Sequence, residues 1–563
     1  MCGIFAQIGE AGSSPEILCQ KLRDVNATRG PDARKSCCIS LSELRLELFS
    51  SELRLRGRHP VVQPHNYDGN ILCWNGEVFA GLNINADDND GIKLFEQLHS
   101  LQTSEQVRDL FASIEGPYAF VFYNATVQKL FFSRDPLGRR SLLIHKPSDE
   151  NPYVFLASVS AGSDPRYSFE EVDTTYIHCL DIKLLSETND IVSAFDSCLS
   201  TIQRGFSNTY AQPAAVNVTI PPDNLPLPPG DSLDVIRDWL QGPVDELISQ
   251  LDRSVMLQVR DIPQDPSAKG QARVAVLFSG GIDCTILTLL ADRYVPRDEP
   301  IDLLNVAFEN PRKINMLHGA SNKNKKSKDA DAALPLPQYM VPDRVTGLQE
   351  VQELRKLCPG RVWNFVEVNV PYLDYQGARQ YVEDLMHPVR TVMDLSLAVA
   401  LYFASRGIGQ VRSGPGDDPV LYTSPAKVLV NGLGSDELLG GYGRHRSAFI
   451  AGGWSSVIEE LQLEIDRIPM RNLGRDDRVI SSHGKETRHP FLSLDVVAFL
   501  ANLPVQYKVD LRLPVGVGDK MLLRLATRKL GLVEASERKK RAMQFGSRSA
   551  RMEGDAKGDV LLE

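Results

Sequence analysis

At 563 residues the chain exceeds what one hydrophobic core supports, and about 150 residues per domain suggests three or four domains, or two large ones. Apolar and charged fractions of 42% and 24% are ordinary for a globular protein, and no run of eighteen apolar residues is available to span a membrane. A net charge of −10 argues against nucleic acid as a general partner, because phosphate contacts need a basic surface.

The amino terminus, MCGIFAQIGEAG, lacks the basic region and long apolar core of a signal peptide. The nine cysteines have no metal-type spacing, so reduced thiols in the cytosol are expected. From Met1 to about Leu185, short alternating apolar runs (GIFAQIG, NILCWNGEVF, YAFVFYN, KLFFSRD, YVFLASV) predict strands between Gly, Pro, Asn and Asp turns. Helices are predicted at Pro15–Val25 and Gly91–Leu98, which makes residues 2–185 an α+β domain. Periodicity fades over 186–230, which ends in IPPDNLPLPPG, and this segment reads as a linker. A helix is predicted from Ser232 to Arg260, broken or kinked at Pro243. The strand ARVAVLF then leads into SGGID and a helix, and the strands LLNVAF and VWNFVEVNV alternate with helical segments such as Leu395–Ser405. That alternation predicts a parallel α/β sheet with right-handed crossovers over 231–563. Residues 312–338, with NKNKKSKDADA at their centre, read as a disordered insertion. No internal repeat is found.

Cys2 follows the initiator methionine. Removing Met1 leaves an α-amine that titrates near neutrality and can take the thiol proton, so that nucleophile and base lie on one residue. The chain also carries RGPD at Arg29–Asp32, WNGE at Trp74–Glu77, Asp90 in DDNDG, and SRDPLGRRSL at Ser133–Leu142. This ordered set resembles the class II, N-terminal-nucleophile glutamine amidotransferase domain, whose fold is an αββα sandwich. The resemblance implies that Cys2 is the glutaminase nucleophile, with the Asn75 side chain and the Gly76 N–H as oxyanion hole. Asp90, assisted by Glu77, would bind the α-ammonium of glutamine, and RGPD would order the turn beneath the pocket. An arginine for the glutamine α-carboxylate comes in the family from an H-x-R-L-like segment. Here the stretch reads SSELRLRGRHP, so the resemblance implies Arg54 or Arg56 in this role, with Arg56 as the candidate.

SGGIDCT at Ser279–Thr285 follows an apolar strand and opens a helix, an arrangement whose backbone N–H groups suit pyrophosphate. Downstream lie GLGSDELLGGY at Gly432–Tyr442, KETRHPFL at Lys485–Leu492, GDKMLLR at Gly518–Arg524 and KKRAMQFGSR at Lys539–Arg548. In this order the segments resemble the ATP-pyrophosphatase domain of glutamine-hydrolysing asparagine synthetases, an adenine-nucleotide hydrolase-like α/β fold. The resemblance implies an ATP site of Phe278, Ser279, Gly280, Gly281, Asp283, Val306, Gly432 and Asp436. Asp283 and Asp436 would meet Mg²⁺ through pyrophosphate, and Lys520 would neutralise charge on the α-phosphate.

Two positions depart from the pattern. Leu433 stands in NGLGSDE where the family has glutamate, and Asp394 in TVMD replaces a basic residue, which predicts repulsion of an acidic substrate. The expected activity is glutamine hydrolysis at Cys2, passage of ammonia through an interdomain tunnel implied by the family, and ATP-dependent adenylation of a carboxylate, aspartate by default, with release of AMP and pyrophosphate. The competing expectation is a catalytically degenerate protein that binds ATP or partners as a scaffold. Expected partners are thus glutamine, ATP and a carboxylate, and a homodimer is compatible with this reading. The basic runs Lys323–Lys328 and Arg538–Arg541 read as solvated charge and as part of the last motif, not as nucleic-acid sites.

Overall fold

The computed structural model describes residues 2–10, 15–188, 190–205, 210–226, 233–264, 268–310, 338–414, 416–554 and 558–562. The first domain contains twelve strands: β1 (Gly3–Glu10), β2 (Ala33–Leu41), β3 (Leu44–Glu52), β4 (His65–Tyr67), β5 (Asn70–Gly76), β6 (Tyr118–Asn124), β7 (Lys129–Arg134), β8 (Leu143–His145), β9 (Val154–Ala157), β10 (Glu170–Glu171), β11 (Tyr176–Asp181) and β12 (Leu199–Gln203). They form two six-stranded sheets, in the orders β10-β8-β9-β1-β3-β2 and β12-β11-β7-β6-β5-β4.

Successive strand side chains point to opposite faces. Ile4, Ala6 and Ile8 of β1 therefore share one face and meet Ile71, Cys73 and Val121 between the sheets. Phe5, Phe49 and Phe155 face the other way, onto Leu18 and Leu22 of the helix Glu16–Ala27. On the far side Leu72, Trp74 and Phe120 pack under the helices Asp90–Leu98 and Ser104–Ser113. The result is the expected αββα sandwich. Because both faces of the central strands are covered, YAFVFYN reads as continuously apolar, not alternating.

The linker expectation is corrected at its start. Asp190 accepts from the Val192 and Ser193 amides and so caps a helix, Ile191–Cys198. Ile191, Phe195 and Cys198 enter the inter-sheet core, and β12 then pairs antiparallel with β11. The first domain thus reaches Gln203. Beyond it the chain crosses over: the Tyr210 amide donates to Ala112 O, and the Asn217 amide to Ala501 O.

The second domain is built on β13 (Val274–Leu277), β14 (Ile301–Phe308), β15 (Trp363–Val370), β16 (Ile408–Val411), β17 (Val420–Thr423), β18 (Val428–Val430) and β19 (Glu486–Arg488), in the order β17-β16-β15-β14-β13-β18-β19. The five strands from β15 to β19 in that order are parallel, as predicted, and an antiparallel β16–β17 pair extends one edge. Helices Asp238–Val259 and Ile282–Ala291 cover one face, and Tyr372–Met386 and Val392–Arg406 the other. The first of these helices runs through Pro243 without the break that was one of the two outcomes expected there, with Leu240, Val244, Leu247 and Leu251 buried along one stripe. The chain leaves β13 for β14 on one side and returns to β18 on the other. That reversal opens a crevice at the carboxyl ends of β13 and β18, the usual ligand position in such sheets.

Of the predicted disordered insertion, residues 312–337 lie outside the described residues. Among the described residues no helix is long and apolar enough to cross a membrane. None of the nine cysteines forms a disulfide, and neighbouring Cys37 and Cys38 point to opposite faces of β2, one buried and one exposed.

Candidate active sites and the interface between them

Cys2 precedes the first residue of β1 and keeps the parity of Ile4 and Ala6, so it points between the sheets. Asn75 keeps the parity of Ile71 and Cys73 on β5 and points into the same space. The Cys2 nitrogen donates to Asn75 Oδ1 at 3.0 Å, while Asn75 Nδ2 is buried with no hydrogen-bond partner. A buried amide donor without an acceptor is costly unless a ligand supplies one. Gly76 ends β5 where a Cβ would lie 2.7 Å from Pro117 O, so the close approach of β6 requires glycine. Gln63, which carries no motif signal, donates from Nε2 to Cys2 Sγ at 3.5 Å and accepts from the Trp74 amide at 2.9 Å. Burial pushes the Cys2 thiol up to about 11, so it needs a base to become a thiolate at neutral pH.

The predicted glutamine-binding residues divide. Asp90 accepts from the Val78 and Gly91 amides, and burial pushes its carboxyl up to about 7. An arriving ammonium would restore its charge. Arg56 does not stand free: its Nε lies 2.6 Å from Glu77 Oε2, and the second oxygen of Glu77 meets Arg488 Nη2 of the other domain at 3.0 Å. Arg56 and Glu77 thus form a buried bridge into the second domain. Arg54 is only half-buried, has no ion pair among the described residues, and its Nε is buried without a partner.

At the crevice, the Ser279–Asp283 turn joins β13 to its helix. Gly280 has φ +74°, and a Cβ there would lie 2.4 Å from Gly347 N, so this turn is closed to other residues. Gly281 opens the helix Ile282–Ala291, and its carbonyl accepts from Thr285 Oγ1 at 2.8 Å and from Cys284 Sγ at 3.2 Å. Gly432 lets the loop after β18 approach, its Cβ position being 2.8 Å from Asp283 Cβ. Lys520 Nζ lies 2.8 Å from both Asp283 oxygens, 2.7 Å from Asp436 Oδ1 and 3.0 Å from Ser435 Oγ. Lys540, from the last motif, pairs with the other Asp436 oxygen. Burial works to raise the Asp436 carboxyl, yet Lys520 and Lys540 hold it well below the usual range. Two of the predicted residues turn away: the Phe278 ring packs edge-on to Phe365 in one core, and Val306 is buried in the other. Only their backbone is left for a nucleotide.

Two families are represented in the chain. The model described as Glutamine amidotransferase domain matches residues 1–178, and that described as Asparagine synthase matches 450–560. Asparagine synthetase domain-containing protein 1 of Bos taurus is 35% identical, over 98% of this chain and 96% of its own. Its Gallus gallus counterpart is also 35% identical, over 99% and 98%. The chain belongs to the asparagine synthetase domain-containing protein family. More distant is the asparagine synthetase [glutamine-hydrolyzing] of Mus musculus, at 20% identity over 93% of this chain and 80% of its own.

In this family member the shared motifs outside the two sites dock the domains. Arg29 of RGPD donates from Nε to Cys2 O at 3.3 Å and pairs through Nη2 with Asp477 at 2.7 Å, both side chains fully buried. From SRDPLGRRSL, Arg140 meets Glu486 at 3.1 Å and Thr487 O at 2.9 Å, and Arg139 donates to Leu492 O at 2.8 Å. Arg478 reaches back to Glu171 at 2.6 Å and Ser141 Oγ at 2.9 Å. The partners that join the two domains lie hundreds of residues apart, so sequence spacing carried no signal for them. Truncating Arg29 removes the nearer of two cations from buried Asp477 and leaves it Arg140 at 3.7 Å and the Ser141 amide at 3.1 Å. We expect Arg29→Ala to cost about 3–5 kcal/mol, read as a lower denaturation midpoint, and to lower glutaminase activity together with interface stability.

The Asp394 expectation is also corrected. Its carboxylate pairs with Arg475, a side chain 1% exposed, and accepts from Thr391 Oγ1 at the start of its helix. Its charge is therefore met by Arg475, which also holds Asp476 at 2.7 Å. Leu433 is partly buried against the apolar core, with its amide donating to Asn431 Oδ1 at 3.1 Å.

Proposed function

We propose that the chain is a glutamine-dependent amide-forming ligase with two coupled sites. The observation that carries the reading is Asn75, whose oxygen holds the Cys2 nitrogen while its buried N–H waits for an acceptor. With Met1 removed, Cys2 attacks the glutamine amide carbonyl, Asn75 Nδ2 and the Gly76 amide receive the oxyanion, and ammonia leaves. Asp90 takes the α-ammonium. Arg54, being unpaired, takes the α-carboxylate in place of Arg56.

Ammonia passes into the second domain across the buried interface, away from bulk water. There the Ser279–Asp283 turn binds the phosphates of ATP, and Lys520 neutralises charge as a carboxylate displaces pyrophosphate. Asp283 and Asp436 fit Mg²⁺, which takes one or two carboxylates and completes its shell with phosphate oxygens and water. Among the described residues no cluster of three or more ligating side chains forms a closed metal cage, which fits an ion that arrives with its nucleotide. When bound, that ion would supply neutralisation of phosphate charge.

The acceptor is a carboxylate, aspartate in the first instance. The test is aspartate labelled with ¹⁸O in its side chain: adenylation transfers one label to AMP, and unlabelled AMP excludes this acceptor. Leu433 favours a second reading, a protein that binds ATP but forms no adenylate, since a leucine supplies neither charge nor proton acceptor. ATP binding without AMP formation under any carboxylate would establish it.

A further inference from the structure

A buried carboxylate faces the nucleophile, and the mechanism above does not use it. The β1–β3 ladder ends at the pair Gly3–Ser51; the same register carried one residue further sets Cys2 opposite Glu52, whose charge bears on the Cys2 thiol. Directly opposed residues of an antiparallel pair project from the same face, with Cβ atoms about 5 Å apart. The face is the inter-sheet one, because Glu52 keeps the parity of Leu46 and Leu48, as Cys2 does of Ile4. The side chain is 3% exposed, and Glu52 Oε2 is buried without a hydrogen-bond partner. A carboxylate so placed is expensive unless a cation or a donor arrives. In this site the nitrogen of Cys2 becomes such a donor once Met1 is removed.

We infer that Glu52 is the proton acceptor for the Cys2 α-ammonium in the glutaminase half. This rests on the glutaminase reading of Cys2 and adds a residue to it. The ammonium gives one proton to the carboxylate: an N–H bond breaks, an O–H bond forms, and both groups become neutral. The amine then has a free lone pair for the thiol proton, which Sγ yields as it attacks the amide carbon. That proton goes to the departing nitrogen as the C–N bond breaks and ammonia leaves a thioester. Water, giving its proton to the amine, then cleaves the C–S bond to release glutamate. The amine returns that proton to Sγ, and the Glu52 carboxyl returns its own to the amine at the end of the cycle. Burial pushes the Glu52 carboxyl up to about 7, near enough to an α-amine for exchange in both directions. The groups that bear on it are Arg54 and the amino terminus, which favour its charge, and Asp32 and Asp90, which oppose it. Cys2 faces it across the ladder.

The experiment uses full-length, Met1-processed protein, with glutamate release measured for wild type, Glu52→Gln and Glu52→Asp from pH 5.5 to 9. Expected for Glu52→Gln is a kcat lower by about 100-fold, the scale of a lost proton acceptor, with KM changed little. The acid limb should move from near 7 in the wild type up towards about 8, the range of an unassisted α-amine. Glu52→Asp should keep a carboxylate-dependent limb at reduced kcat. It serves as the deciding variant if Glu52→Gln fails to fold. A Glu52→Gln enzyme with unchanged kcat and limb, or with KM alone raised, overturns the inference; raised KM alone would make Glu52 a ligand of the substrate ammonium. A Glu52→Asp enzyme without the limb overturns it equally. Wild type that releases no glutamate would instead refute the glutaminase reading beneath it.

Discussion

Cys2→Ala is expected to abolish glutamine hydrolysis, by about 10⁴-fold or more, while ammonia-supported consumption of ATP survives. Without the thiol no covalent intermediate can form, and the oxyanion donors alone rescue little. Retention of Met1 should have the same effect, because it keeps the Cys2 nitrogen as an amide with no lone pair to take a proton. The check is parallel measurement of glutamate from glutamine and pyrophosphate from ATP with ammonium chloride. Loss of the first with the second intact supports two chemically separate sites. Equal loss of both would mean that the substitution disturbs the fold or the interface and would contradict two chemically separate sites.

Lys520→Met is expected to lower ATP cleavage by about 10²–10³-fold, the scale set by removing one fixed charge from a developing transition state. The geometry makes the loss larger than that of a surface lysine. Lys520 is 1% exposed and lies within 2.8 Å of Asp283 and 2.7 Å of Asp436. Its removal leaves two carboxylates facing the same crevice with only Lys540 to offset them. Glutamine hydrolysis should persist, since the glutaminase centre takes no charge from this cluster. A Lys520→Met protein that still forms AMP at the wild-type rate would remove Lys520 from the chemistry and leave it a structural ion-pair partner.

How much of this was legible in the sequence depends on distance along the chain. Cys2, Asn75, Gly76 and the Ser279–Asp283 turn were legible because each lies in a short contiguous motif. Their local backbone does the work: a strand end for Asn75, and a positive-φ glycine turn opening a helix for Gly280. The helix Ile191–Cys198 was also written in the residues, with apolar side chains at i, i+4 and i+7, but the prolines downstream obscured it. The side chains of Phe278 and Val306 went to the cores for a physical reason. In a sheet covered on both faces, an apolar residue at a strand end fills a core as readily as a cleft.

What could not be read were pairings between distant segments. Glu52 acquires meaning only when the register sets it opposite Cys2, and Gln63 only when its loop folds against β5. The Arg29–Asp477 pair spans 448 positions, and Arg475 neutralises Asp394 from a different helix. A charge judged alone in a sequence looks like repulsion; beside its partner it is part of the scaffold.

The central claim is that nitrogen released at Cys2 is used in the second domain. Processed protein should be incubated with amide-¹⁵N glutamine, ATP, Mg²⁺ and aspartate amid an excess of unlabelled ammonium, and the product amide examined by mass spectrometry. The account predicts an amide carrying ¹⁵N well above the label present in free ammonium, formed in step with AMP and pyrophosphate. Label no higher than that of the free pool, or glutamate released with no cleavage of ATP, would contradict it.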